Sequence, residues 1–129
     1  MRLIGVQILI LAWLFSACSK KSGNEQPPDT IPPVIALNTP TDGQVFAGDI
    51  LVSVTGTITD NTEIAEIHVH VYNQANNQLI ADIHQNPHTA SYALNESFMA
   101  LKGITYIIQV IAIDKAINQQ MKTVTIHVT

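Results

Sequence analysis

Apolar and polar residues alternate along most of the chain after residue 33. Ile67, Val69 and Val71 fall on one face of a predicted strand, and His68 and His70 fall on the other. Similar short segments, rich in Val, Ile and Thr, are separated by clusters of Asn, Asp, Gly and Pro. Seven strands are predicted, at residues 34–37, 50–59, 66–72, 79–83, 91–94, 104–113 and 123–128.

Helical periodicity is weak throughout the chain. Residues 96–102 are compatible with one helical turn, but no longer window keeps a 3.6-residue period between capping residues. Short strands separated by turn signals every 8–12 residues or so are typical of a sandwich. The predicted fold class is therefore all-β, a seven-stranded antiparallel β-sandwich.

The first seventeen residues follow a different pattern. Arg2 precedes an apolar run that extends from Leu3 to Phe15, and two small residues follow it. This is the layout of a signal peptide, and the apolar run is shorter than the roughly 20 residues that cross a bilayer as a helix. We therefore expect residues 1–17 to be removed from the mature chain.

Cys18 is the single cysteine, so the chain forms no internal disulfide. Residues 15–18, Phe-Ser-Ala-Cys, resemble the lipobox of bacterial lipoproteins, with Phe15 in place of the common Leu. The resemblance implies cleavage before Cys18, a diacylglyceryl group on its thiol, and a fatty acid such as palmitate on the new amino terminus. Two or more acyl chains give stable anchoring. The alternative is an ordinary secretory signal followed by an incidental cysteine.

The residues after Cys18 are polar or proline and cannot form a core. They predict a flexible tether over residues 18–30, in which the prolines favour extended conformations. The strands then define one domain over residues 31–129.

Charge and motifs exclude several functions. The net charge is −4, which argues against nucleic acid as a partner, and the aromatic content of 5% is low for a base-stacking surface. The chain lacks the Gly-x-Ser-x-Gly, P-loop and Gly-x-Gly-x-x-Gly motifs, and no nucleophile, base and oxyanion-hole set stands out. We expect a protein that is not an enzyme and that requires no cofactor.

Four segments carry a family resemblance: residues 32–35 (Pro-Pro-Val-Ile), 40–43 (Pro-Thr-Asp-Gly), 56–61 (Gly-Thr-Ile-Thr-Asp-Asn) and 105–118. They resemble bacterial immunoglobulin-like domains, in particular those of single-domain lipoproteins from the Bacteroidetes. The resemblance implies an immunoglobulin-like or cadherin-like β-sandwich, a fold that hosts unrelated functions. It also implies that Tyr106 is a tyrosine corner, whose hydroxyl bonds to the main chain near the preceding loop. The family usually has Gly where this chain has Ile117.

The same resemblance implies a location and a kind of partner. A lipoprotein of this type is anchored to the outer membrane, here through Cys18. Relatives exported to the cell surface carry acidic pairs after the cysteine, whereas this chain has Lys20 and Lys21, which favour the periplasmic side. The leading function is therefore a lipid-anchored envelope module that binds an unknown protein or glycan.

Oxygen-bearing side chains are expected to meet at one end of the sandwich. Asp60 and Asn61 lie in the loop after the second predicted strand, and Asp114 and Asn118 follow the sixth. In a sandwich of this order these loops lie at the end where the tether, with Asp29, enters. Converging carboxylates and amides suit Ca²⁺, so the alternative function is a Ca²⁺-binding or small-ligand-binding domain. The competing interpretation is that these residues only cap tight turns.

Histidines offer a second candidate. His68 and His70 project from one face about 7 Å apart, a spacing compatible with Zn²⁺ or Cu²⁺. His127 faces outward on the last strand, but the sixth strand is expected to lie between it and the strand that carries His68 and His70. His84 and His88 belong to another part of the chain. All five histidines are therefore expected to be solvated.

The sixth predicted strand has an apolar outer face. If Tyr106 and the residues in register with it face the core, then Ile107, Ile111 and Ile113 face outward. Solvent does not favour such a stripe, which predicts a partner-binding or self-association surface. The alternatives are cover by neighbouring strands, or a face assignment shifted by one residue.

Overall fold

The structure, a computed structural model, describes residues 25–129. The predicted signal peptide, the lipidation at Cys18 and the lysines after it lie outside the described residues. Among the described residues there are seven strands and no helix, so none of them forms an apolar helix long enough to cross a bilayer. The strands are β1 (Val34–Thr39), β2 (Gln44–Phe46), β3 (Ile50–Asn73), β4 (Leu79–Gln85), β5 (Thr89–Ala100), β6 (Thr105–Asp114) and β7 (Gln119–Val128).

One strand, β3, belongs to both layers of the sandwich. It is 24 residues long, and its first part pairs with β1 and β5. Its second part pairs with β4 and β6. Between Thr59 and Ile64 the register with β5 shifts, and here the strand passes from one layer to the other.

The second layer is the larger one. From the second part of β3, pairing continues through β6 and β7 to β2. The expected immunoglobulin-like β-sandwich is therefore confirmed. One detail differs from a wholly antiparallel arrangement, because the short β2 runs parallel to β7.

Three details of the secondary structure differ from the expectation. The segments predicted at residues 50–59 and 66–72 are one bent strand, and β2 was not predicted because three residues give too short a pattern. The helical turn over residues 96–102 is also absent, because β5 continues to Ala100. Phe98 and Ala100 are buried while Met99 between them is exposed, and this two-residue period belongs to a strand.

The core is a single apolar cluster between the layers. It is formed by the inward-facing residues of β3, β5, β6 and β7, and the face assignment of β6 is confirmed because Tyr106, Ile108 and Val110 are buried. The Tyr106 ring packs at 5.4 Å from that of Phe98 in an edge-to-face arrangement. Its hydroxyl accepts a hydrogen bond from the Leu101 main-chain N–H at 2.9 Å, as a tyrosine corner does.

Candidate functional site

Asp60 occupies the point at which β3 passes between the layers. Its Oδ1 accepts hydrogen bonds from the main-chain N–H groups of Thr62 and Glu63, both at 2.9 Å. The Asp60 side chain thus replaces the strand partners that these two amides lack at the bend. The Asp-Asn pair therefore bends the strand here without reversing its direction. The other carboxylate oxygen, Oδ2, is buried and has no hydrogen-bond partner within the described residues.

Asp114 and Asn118 close the β6–β7 hairpin at the same end. The Asp114 side chain is only 1% exposed. Its Oδ1 accepts the main-chain N–H of Asn118 at 2.8 Å, and its Oδ2 accepts the Asn118 side-chain amide at 2.6 Å. Asn118 therefore fixes the orientation of a buried carboxylate.

The linker reaches this end of the sandwich through Asp29. Its carboxylate accepts hydrogen bonds from the Ile31 main-chain N–H at 3.0 Å and the Thr62 hydroxyl at 2.9 Å. These bonds, together with one from the Asn61 side chain, hold the pKa of Asp29 below its usual value. The main-chain oxygen of Asp29 also accepts the Asn118 amide at 3.2 Å. Asp29, two residues before the predicted start of the domain, is thus bound to it.

These contacts bring three carboxylates together. One oxygen from each of Asp29, Asp60 and Asp114 lies within 4.8 Å of the others. Of the four residues predicted for a metal site, Asp60, Asp114 and Asn118 meet, and Asn61 contacts Asp29 from the exposed side. Such a cluster supplies hard oxygen ligands to a cation, and metal binding itself stays a prediction.

The histidines are arranged differently from the expectation. The β3–β4 pairing places His84 directly opposite His68, so the two residues are neighbours and not in separate parts of the molecule. They lie eight residues on either side of Asn76, which falls between the strands predicted at residues 66–72 and 79–83. A hairpin centred on that gap was the available signal. His88 lies elsewhere and pairs with Glu63, and β6 separates His127 from β3 as expected.

The apolar stripe on β6 does face outward. Ile107, Ile111 and Ile113 are half-buried between β3 and β7, and none is among the most exposed large apolar residues of the described chain. Ile111 lies between His68 on β3 and Met121 on β7. An interface at this stripe stays a prediction.

Comparisons with known proteins found no matching family model and no matching curated protein. Among solved structures, the chain is similar to fibronectin(III)-like modules of Clostridium thermocellum CbhA. The sequences are 19% identical, the TM-score is 0.49, and the match covers 74% of this chain and 94% of the other.

Proposed function

We propose that this protein is a non-enzymatic envelope module, tethered to a membrane through Cys18, that binds Ca²⁺ where the tether meets the β-sandwich. Asp29, Asp60 and Asp114 supply the carboxylates. The observation that carries the proposal is the buried Oδ2 of Asp60, which has no partner in the described chain. Asp60 itself belongs to a group of three acids. A buried carboxylate oxygen without a hydrogen-bond partner is costly, and a bound cation removes that cost.

The donor set favours Ca²⁺ over other ions. All three groups are carboxylates, and Ca²⁺ takes 6–8 or so oxygen ligands in flexible geometry, completed by carbonyls and water. Zn²⁺ sites draw instead on imidazole and thiolate, and Mg²⁺ demands near-octahedral geometry. A cluster that draws its acids from three separated segments suits the more permissive ion.

Ca²⁺ bound here joins the tether to the domain. Asp29 lies in the linker, whereas Asp114 ends β6, so one ion holds both segments. About ten residues then remain between Cys18 and Asp29, and an extended proline-rich chain of that length spans about 30 Å. The ion therefore limits the distance between the sandwich and the membrane to about that length.

The membrane anchor is supported by the lipobox-like segment that ends at Cys18. We propose attachment to the outer membrane, on its periplasmic side, with an envelope protein or glycan as the partner of the domain. Mass spectrometry of the native protein tests the anchor. We expect a mature chain that starts at an acylated Cys18, and an unmodified thiol excludes the anchor.

Calorimetric titration of CaCl2 into the full-length chain in detergent tests the Ca²⁺ site. We expect one ion per chain in the wild type and in Glu25→Gln, which removes an exposed linker charge outside the cluster. Asp60→Asn should lose the binding heat. An unchanged Asp60→Asn isotherm, or no heat in the wild type at millimolar Ca²⁺, contradicts the proposal.

Unfolding without Ca²⁺ separates a metal site from a merely structural turn. An asparagine at position 60 keeps the oxygen that caps Thr62 and Glu63, and its amide replaces the unpartnered Oδ2. Asp60→Asn should therefore leave the ion-free protein as stable as the wild type or more stable, by about 1 kcal/mol. A strong loss of stability in the ion-free variant indicates that Asp60 serves the fold alone.

A further inference from the structure

A second cluster lies on the outer face of the larger layer, away from the carboxylates. His68 and His70 project from β3, and β4 places His84 directly opposite His68. One nitrogen of each imidazole lies within 4.8 Å of the others. The rings of His68 and His84 are 4.3 Å apart and nearly perpendicular, at 80°. Three imidazoles thus gather at one place on the sheet.

Each of these rings also touches a carboxylate through Nε2. Asp82 Oδ1 lies 3.2 Å from Nε2 of His70 and 2.6 Å from Nε2 of His84. Glu66 Oε2 lies 3.1 Å from Nε2 of His68. A carboxylate that accepts the proton from Nε2 leaves the lone pair of Nδ1 for a metal ion. Histidines that bind metals have this outer partner almost always. In His70 the Tyr72 hydroxyl lies 3.4 Å from that Nδ1 and has to turn away when the ion binds.

We infer that His68, His70 and His84 bind one divalent transition-metal ion of the Zn²⁺ class, with Asp82 and Glu66 holding the rings. Nitrogen donors suit Zn²⁺ and its neighbours and do not suit Ca²⁺, so this site is independent of the carboxylate cluster. Three protein ligands leave a fourth position for water or for a ligand brought by a partner.

The burial of the three side chains fits this role. His68 and His70 are 19% and 22% exposed, and strand pairing on both sides of β3 holds their backbone. His84 is 51% exposed and can rotate. Zn²⁺ binds nitrogen at about 2.0–2.1 Å, so its ligands lie about 3.4 Å apart in a tetrahedral site. The three nitrogens therefore have to approach one another when the ion binds, and His84, as the most exposed of the three, has the most room to move.

Titration of ZnCl2 into the full-length chain in detergent, with CaCl2 saturating, tests the site. We expect one Zn²⁺ per chain, loss of that binding in His84→Gln, and about 10–100-fold weaker binding in Asp82→Asn. The control is His127→Gln, which removes an exposed histidine on β7 and should bind as the wild type does. Equal binding by His84→Gln and the wild type overturns the inference, as does a wild type that takes up no Zn²⁺.

Side-chain NMR of the histidines identifies the ligands directly. With Zn²⁺, the imidazole resonances of His68, His70 and His84 should shift together, while those of His88 and His127 stay in place. Shifts confined to His88 or His127 overturn the inference. CaCl2 is present in every Zn²⁺ experiment, so a failure to bind Zn²⁺ says nothing against the carboxylate site. A failure of the Ca²⁺ experiments likewise says nothing against the histidine site.

Discussion

The side-chain amide of Asn118 donates a hydrogen bond to the main-chain oxygen of Asp29 at 3.2 Å, across 89 positions of the chain. The same amide nitrogen lies 2.6 Å from Oδ2 of Asp114. A single side chain thus joins the linker to the buried carboxylate of the β6–β7 hairpin. Hydrogen bonds of the protein therefore already join the tether to the domain at the place where we propose that Ca²⁺ binds.

Asn118→Ala should release the linker. Removal of the amide leaves the Asp114 carboxylate short of a donor, and we expect a loss of about 1–3 kcal/mol in the free energy of unfolding. Hydrogen exchange at the Ile31 amide should accelerate, because its acceptor Asp29 loses one of the hydrogen bonds that hold it to the domain. The control is Asn95→Ala, at an exposed position of β5. Unchanged protection of Ile31 in Asn118→Ala rules out this coupling.

Tyr106→Phe tests the tyrosine corner. The ring packing survives, but the Leu101 N–H loses its acceptor, so we expect a loss of about 1 kcal/mol in denaturant unfolding. Tyr72→Phe is the matched control, since its hydroxyl is 3.4 Å from His70 Nδ1, too far for a strong bond. Equal losses in the two variants mean that the corner bond contributes nothing specific.

Ile117→Gly should stabilise the domain. Ile117 has a φ of 70° and a side chain that is 83% exposed, so a β-branched residue stands in the left-handed region with little packing in return. Relief of about 1–2 kcal/mol of strain outweighs the added backbone entropy of glycine, about 0.5–1 kcal/mol. Ile117→Ala keeps the Cβ and should change little. A melting temperature that rises equally in both variants contradicts the strain argument.

Glu63 predicts a stability that depends on acid pH. Hydrogen bonds with His88 at 2.9 Å and with Lys115 at 3.4 Å lower the pKa of Glu63 from its ordinary 4.5. Because the pKa of Glu63 is lower in the folded protein than in the unfolded chain, ionised Glu63 stabilises the fold. This stabilisation is complete above about pH 4.5 and is lost as the pH falls through the lowered pKa.

The measurement compares Glu63→Gln with the wild type by denaturant unfolding across this range. We expect the variant to be less stable at neutral pH and the gap to close in acid. Glu25→Gln, at an exposed position of the linker, should follow the wild type at every pH. A gap that is constant with pH shows that the carboxylate charge is not involved.

The sequence predicts the structure correctly where the alternation of apolar and polar residues determines which face of a strand each side chain occupies. Alternation assigned both faces of β6 and of the second part of β3, because successive side chains must point to opposite sides of a strand. The prediction that the strand ends at Asp60 was wrong, although Asp60 does cap a bend of the chain. The side chain caps two amides while the strand continues, and only the pairing of both halves of β3 shows that the chain bends there without reversing.

The candidate sites show the same division. Loop order in a sandwich was enough to expect Asp60 near Asp114, yet the burial of Asp114 and the donor role of Asn118 depend on side-chain packing that no spacing encodes. The histidine cluster depends on the register of the β3–β4 hairpin. A shift of that register by one residue would turn His84 to the opposite face of the sheet.

Crystals of the protein grown with CaCl2 give the most direct test of the Ca²⁺ proposal, through anomalous scattering from the ion. We predict one anomalous peak at the junction of linker and domain. The Ca²⁺ ion at that peak should be coordinated by one oxygen each from Asp29, Asp60 and Asp114, at about 2.3–2.6 Å. A structure with no peak there, and with these three carboxylates hydrogen-bonded only to protein or water, contradicts it.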